Sequence, residues 1–99
     1  MKLTGKCKED FRNYLTEFVG GGIKVYPYKV FRELEISMQY GVYVDFFDHH
    51  GICISGLPYT LIINEGSIQR FKINFGGFER YEGRLMAIEK ANEIYNNNL

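Results

Sequence analysis

The chain has 99 residues, 12 basic and 12 acidic side chains and a formal net charge of zero. That length suits one domain, residues 1–99. With 45% hydrophobic and 16% aromatic residues, disorder is excluded as the main state, and the neutral balance exerts no general pull toward nucleic acid or membrane.

No apolar run approaches the roughly 18 residues of a membrane span. The start, Met1 to Lys6, carries charge but leads into no apolar segment of the signal-peptide kind. The expectation is a cytoplasmic protein without a membrane partner. Cys7 and Cys53 form no C-x-x-C pair and read as reduced thiols in or near the core. A chain this short buries only about two-thirds of its unfolded surface as a monomer, which leaves a homo-oligomer open.

Leu3, Cys7, Phe11, Tyr14, Leu15 and Phe18 recur at spacings of three and four, which predicts a helix over 5–19. Thr4 stands where a capping hydroxyl is expected, and Gly20, Gly21 and Gly22 stand where the helix should end. Residues 23–36 read as a connector that lays aromatics on the core; Val30, Phe31 and Leu34 suit one helical turn. Residues 37–50 fit two periods. An unbroken strand of that length would be about twice the usual one. A helix instead gathers Ser37, Gly41, Asp45 and Asp48 on one polar face, with Ser37 as N-cap and Gly51 as stop. The helix is preferred, nearly buried apart from that face.

The period then changes. Residues 52–56, 59–64 and 67–75 read as three strands, the last two joined at Asn64-Glu65-Gly66. Phe71, Ile73 and Phe75 alternate with Arg70, Lys72 and Asn74, giving one buried and one wet face. A closing helix over 81–96 presents Leu85, Ile88, Ala91, Ile94 and Tyr95, so Phe71, Ile73, Leu85 and Ile88 are expected to meet. Asn96 to Asn98 read as a frayed tail. The expected fold is α+β: two helices, a small three-stranded antiparallel sheet, and a C-terminal helix packed on it.

Candidate chemistry is sparse. Asp45 and His49 lie one turn apart and could share a metal, with Asp48, His50 and Cys53 nearby, but polar residues at a helix end account for the same pattern. No nucleophile elbow, phosphate loop or cofactor motif is present, so neither catalytic residues nor a cofactor is assigned. Cations interleave with aromatics through Lys24, Lys29 and Arg32, and Arg70 and Lys72 alternate on one strand. These five are the candidates for nucleic-acid contact.

Ser37-Met-Gln-Tyr-Gly41-Val-Tyr-Val-Asp45-Phe-Phe-Asp48 with Gly51-Ile52, together with Arg80-Tyr-Glu-Gly-Arg84-Leu-Met-Ala87-Ile-Glu-Lys-Ala-Asn92-Glu-Ile-Tyr95, resembles segments of small uncharacterised proteins of bacterial phages and prophages. Gly83 stands where that pattern usually has Ala, and His49 where Ser is frequent. The order of hairpin, Phe78 and closing helix is also loosely similar to the arm-binding domains of phage integrases, which present a three-stranded sheet to DNA. The first resemblance implies a phage context and no activity. The expected function is a non-enzymatic accessory or interaction module acting on a protein partner. A small nucleic-acid-binding module is the alternative, and a small metal-dependent enzyme the third reading.

Overall fold

The computed structural model describes residues 2–15, 28–56, 59–74 and 80–98, with 28–30 and 80 described by backbone alone. Its elements are α1 (Gly5–Tyr14), α2 (Tyr28–Glu33), α3 (Ile36–His49), β1 (Ile52–Ser55), β2 (Thr60–Glu65), β3 (Ile68–Asn74) and α4 (Arg80–Asn97). The expected α+β arrangement is present, with α4 packed on the sheet. The predicted continuation of the first helix to residue 19, the triple glycine, Phe75 and Phe78 lie outside the described residues.

Residues 36–49 are helical, as the polar face at Gly41, Asp45 and Asp48 requires. The helix stops at Gly51, whose φ of 82° is the left-handed conformation that closes helices. Two details differ from expectation. Glu35, not Ser37, occupies the N-cap, and Ser37 is exposed within the first turn. The helix is also less buried than expected: Gln39, Tyr43, Phe46 and Phe47 are covered, while Met38 is 54% exposed. A helix packed on one side buries only the stripe at spacings of three and four, and Met38 falls off it.

The sheet is antiparallel with order β1-β2-β3. Ile52 and Ile54 of β1 and Leu61 and Ile63 of β2 face the helices and are buried; Cys53 and Ser55 alternate to the open face. Cys53 is thus exposed rather than near-core, while Cys7 is buried as expected. In β3, Ile73 pairs with Leu61 and Phe71 with Ile63, so the expected inward face is correct, but its burial is not. Phe71 is half-buried, Ile73 is 36% exposed and Leu85 is half-buried; only Ile88 of the expected quartet is fully covered. The reason is placement: α4 lies over β1 and β2, leaving β3 at the margin, where Lys90 extends over the Phe71 ring at 5.2 Å.

One core runs through the domain, and its helical half is aromatic. Phe11 sits at its centre, 4.8 Å from Tyr43, 5.0 Å from Phe31 and 5.2 Å from Phe46 between ring centroids. Its edge-to-face contacts with Phe31 and Phe46 and stacked contact with Tyr43 add to simple area burial. The sheet half is aliphatic, with Ile52, Leu61 and Ile63 against Ala87, Ile88 and Ala91. Among the described residues no helix is long and apolar enough to cross a membrane.

Candidate anion-binding cleft

The first two turns of α1 carry Lys8 and Arg12 four residues apart, just off the stripe formed by Cys7 and Phe11. Residues at that spacing lie about 5–6 Å apart on one helix face. Gln39, buried in the first turns of α3, donates its amide to the backbone carbonyls of Leu34 at 2.8 Å and Arg32 at 3.2 Å. These are carbonyls that the end of α2 leaves free. The tie fixes the backbone of Arg32 against the start of α3. Lys2, Lys8, Arg12 and Arg32 thereby wall a cleft of about 550 Å³, with Phe31, Tyr43 and Gln39 at its base. The base is the core itself, since Phe31 and Tyr43 are almost wholly buried.

Among the described residues three other cations pair with acids, while Arg84 lies over the Tyr40 ring at 5.2 Å. Lys6 meets Asp10 at 3.2 Å, Lys90 meets Glu93 at 3.5 Å and Arg70 is paired with Glu65. No carboxylate stands among the described residues of the cleft wall. Lys2, Lys8, Arg12 and Arg32 bring four basic side chains to one concave place.

Of the expected nucleic-acid set, the described side chains lie in different places. Arg32 reaches the cleft; Lys24 and the side chain of Lys29 lie outside the described residues. Lys72 pairs opposite Ile62, on the face of the sheet turned away from the helices. Arg70 does not extend a patch with it. The register slips between Ile63 and Asn64, so that Phe71 opposes Ile63, Gln69 opposes Asn64 and Arg70 has no residue opposite it. Such a bulge re-aims its extra residue. The Arg70 guanidinium pairs with Glu65 and donates to Asn98 Oδ1 at 3.2 Å, while Asn98 Nδ2 donates to Glu65 Oε2 at 2.6 Å. Asn98 is therefore held at an exposed, hydrogen-bonded corner rather than frayed.

Asp45 and His49 lie on the exposed side of α3, and no group of three or more His, Cys, Asp or Glu is placed to hold a metal among the described residues. His50 and Cys53 sit on opposite sides of the sheet. Cys53 faces outward, whereas the His50 ring packs edge-on against Phe46 at 4.8 Å and Tyr95 at 5.2 Å. Beneath it the Tyr95 hydroxyl donates to Asp10, which also pairs with Lys6. Partial burial works to raise the Asp10 carboxyl, but the hydrogen bonds from Tyr95 and Lys6 and the nearby positive charge hold it below its ordinary range. Burial, then the carboxylate, pushes the Tyr95 phenol far upward. Burial pushes the Cys7 thiol up to about 12.

Sequence reading missed Lys2, Lys8 and Arg12. The available signal was the Lys8/Arg12 spacing beside an apolar stripe; the zero net charge concealed it. No protein-family profile, curated protein or solved structure matches the chain.

Proposed function

We propose that this protein is a small non-enzymatic accessory module, of the phage or prophage kind its sequence resembles, that acts by binding an anionic group in the cleft between α1, α2 and α3. One observation carries this reading: Lys2, Lys8, Arg12 and Arg32 converge on a cleft with a buried aromatic base. Cations around a concave, partly desolvated site hold and orient an anion.

The test is a titration of the labelled protein with sodium sulfate at constant ionic strength, followed through backbone amide shifts. The expected result is saturable movement confined to the signals of Lys8, Arg12, Arg32 and Gln39. Movement centred on Cys53, Ile62 and Lys72 would overturn the reading and place recognition on the open sheet face, where the nucleic-acid alternative would put it.

A further inference from the structure

We infer that the anionic group taken by this cleft is the outer face of α3 from a second copy of the chain, Asp45 and Asp48 meeting Lys8 and Arg32, so that copies join head to tail. The inference rests on the anion-binding reading and names its partner. Three observations support it. The first is a set of cations without acids. Lys2, Lys8 and Arg32 line the cleft, and among the described residues none of them forms an ion pair, whereas Lys6, Arg70 and Lys90 do. Arg12 lines it too, but is engaged by other contacts and is not counted. The second is a pair of acids without cations. Asp45 and Asp48 are exposed on a helix that carries no lysine or arginine. Among the described residues no lysine or arginine pairs with either. The third is placement. Gln39 and Tyr43 of α3 line the cleft, and Asp48 stands about two and a half turns from Gln39, on the opposite side of the same helix. The two charged surfaces therefore cannot meet within one folded chain. Between copies they meet as two different patches, a heterologous contact that closes into a ring or runs on as a filament.

The acidic face is also open to a neighbour. A Cβ at Gly41 would meet nothing within 4 Å, so a partner can approach the helix backbone there. Met38, on the same side as Asp45, is 54% exposed and adds apolar area that leaves water on docking. Exposed charge pairs hold weakly and are screened by salt, so the association is expected to be concentration-dependent and salt-sensitive.

The experiment is analytical ultracentrifugation of the full chain from about 10 to 500 μM, in about 20 mM and about 300 mM salt. The variants are Lys8→Glu and Asp48→Lys, alone and mixed in equal amounts. Lys72→Glu on the open sheet face and Glu89→Lys on α4 make the same charge changes elsewhere and serve as controls. Urea melts check that every variant folds, and Lys8→Gln or Asp48→Asn replaces a reversal that does not. The expected result is an average mass that rises with concentration above the 11.6 kDa of one chain in low salt and returns toward it in high salt. Either Lys8→Glu or Asp48→Lys weakens association at least about tenfold, and the controls behave as the parent does. In the mixture the Lys8→Glu copy keeps an intact acidic face and the Asp48→Lys copy an intact cleft, so the two form a pair and nothing larger. Association that survives both substitutions, falls equally in the controls, or grows past a pair in the mixture would overturn the head-to-tail contact. A parent that stays monomeric throughout would overturn it too; the anion-binding reading then stands if sulfate still moves the Lys8 and Arg32 signals, and falls with it if sulfate moves neither.

Discussion

Asn96, in the last turns of α4, caps the first turn of α1: its side-chain oxygen accepts a hydrogen bond from the backbone N–H of Cys7 at 3.0 Å. That N–H is one of the donors every helix start leaves free. The hydroxyl of Thr4, placed by sequence to satisfy it, instead accepts a hydrogen bond from the Asn92 amide at 3.0 Å, while Asn96 also donates to the Thr4 carbonyl at 3.0 Å. Gly5 makes the approach possible. Its φ is 60°, and a Cβ there would stand 3.3 Å from the Asn96 amide.

Replacing the cap should therefore cost more than its position near the chain end suggests. Asn96→Ala is expected to lose about 1–2 kcal/mol in urea melts, the usual value of a helix cap. The neighbouring, exposed Asn97→Ala should stay within about 0.5 kcal/mol of the parent. Equal effects at the two positions would show that the α1–α4 contact is not formed in solution.

The two halves of the core should respond differently to truncation. Phe11, fully buried among three rings, is expected to cost about 3–5 kcal/mol on replacement by Ala. Phe71, half-buried beneath Lys90, is expected to cost about 1–2 kcal/mol, because much of its surface is already in water. Reversal of that order would mean that β3 is covered more deeply than the placement of α4 allows.

Stability should fall on mild acidification. Burial, then the neighbouring His49, lowers the His50 pKa below its ordinary 6.5, with Asp10 opposing in part. The unfolded chain thus binds a proton more readily than the folded one, so stability declines as pH drops below about 6.5. A second decline belongs to Asp10, whose carboxyl is held below its ordinary 3.8 by Tyr95 and Lys6 despite partial burial. Its contribution is complete above that value and is lost as pH falls through the lower, folded-state pKa. Urea midpoints measured from neutral to acid pH should show both steps, and His50→Phe should remove the first alone. A first step that persists in His50→Phe belongs to another group.

The two thiols should separate cleanly by reactivity. Cys53 is exposed, whereas Cys7 is buried and its thiol is pushed up to about 12, leaving almost no thiolate at neutral pH. Iodoacetamide is expected to modify one thiol in the native protein and both in urea. Rapid native modification at Cys7 would show that α1 opens readily.

What was legible in the sequence followed from period. Spacings of three and four at Cys7, Phe11 and Tyr14, alternation through Ile52, Ile54, Leu61 and Ile63, and the polar face of Gly41, Asp45 and Asp48 are local patterns, and each element they imply is present. What failed depended on where elements meet. Ile73 faces the correct way, yet no period states how far α4 reaches across the sheet. Arg70 and Lys72 share a face in an ideal strand, and a one-residue slip in pairing separates them. The cleft was illegible for the same reason. Lys2, Lys8, Arg12 and Arg32 lie apart in the sequence and line one cleft only in the folded chain.

The slip at Arg70 also bears on how this small sheet avoids its own kind. Among the described residues β3 is an edge strand of seven residues with Ile68 and Ile73 exposed, the sort of border on which a second chain could lay down a further strand. An interrupted ladder offers a broken template for that growth, and a lysine at position 72 adds a charge that an incoming copy of the same strand would have to confront. The irregularity that removes Arg70 from the outer face thus doubles as protection against sheet-to-sheet aggregation.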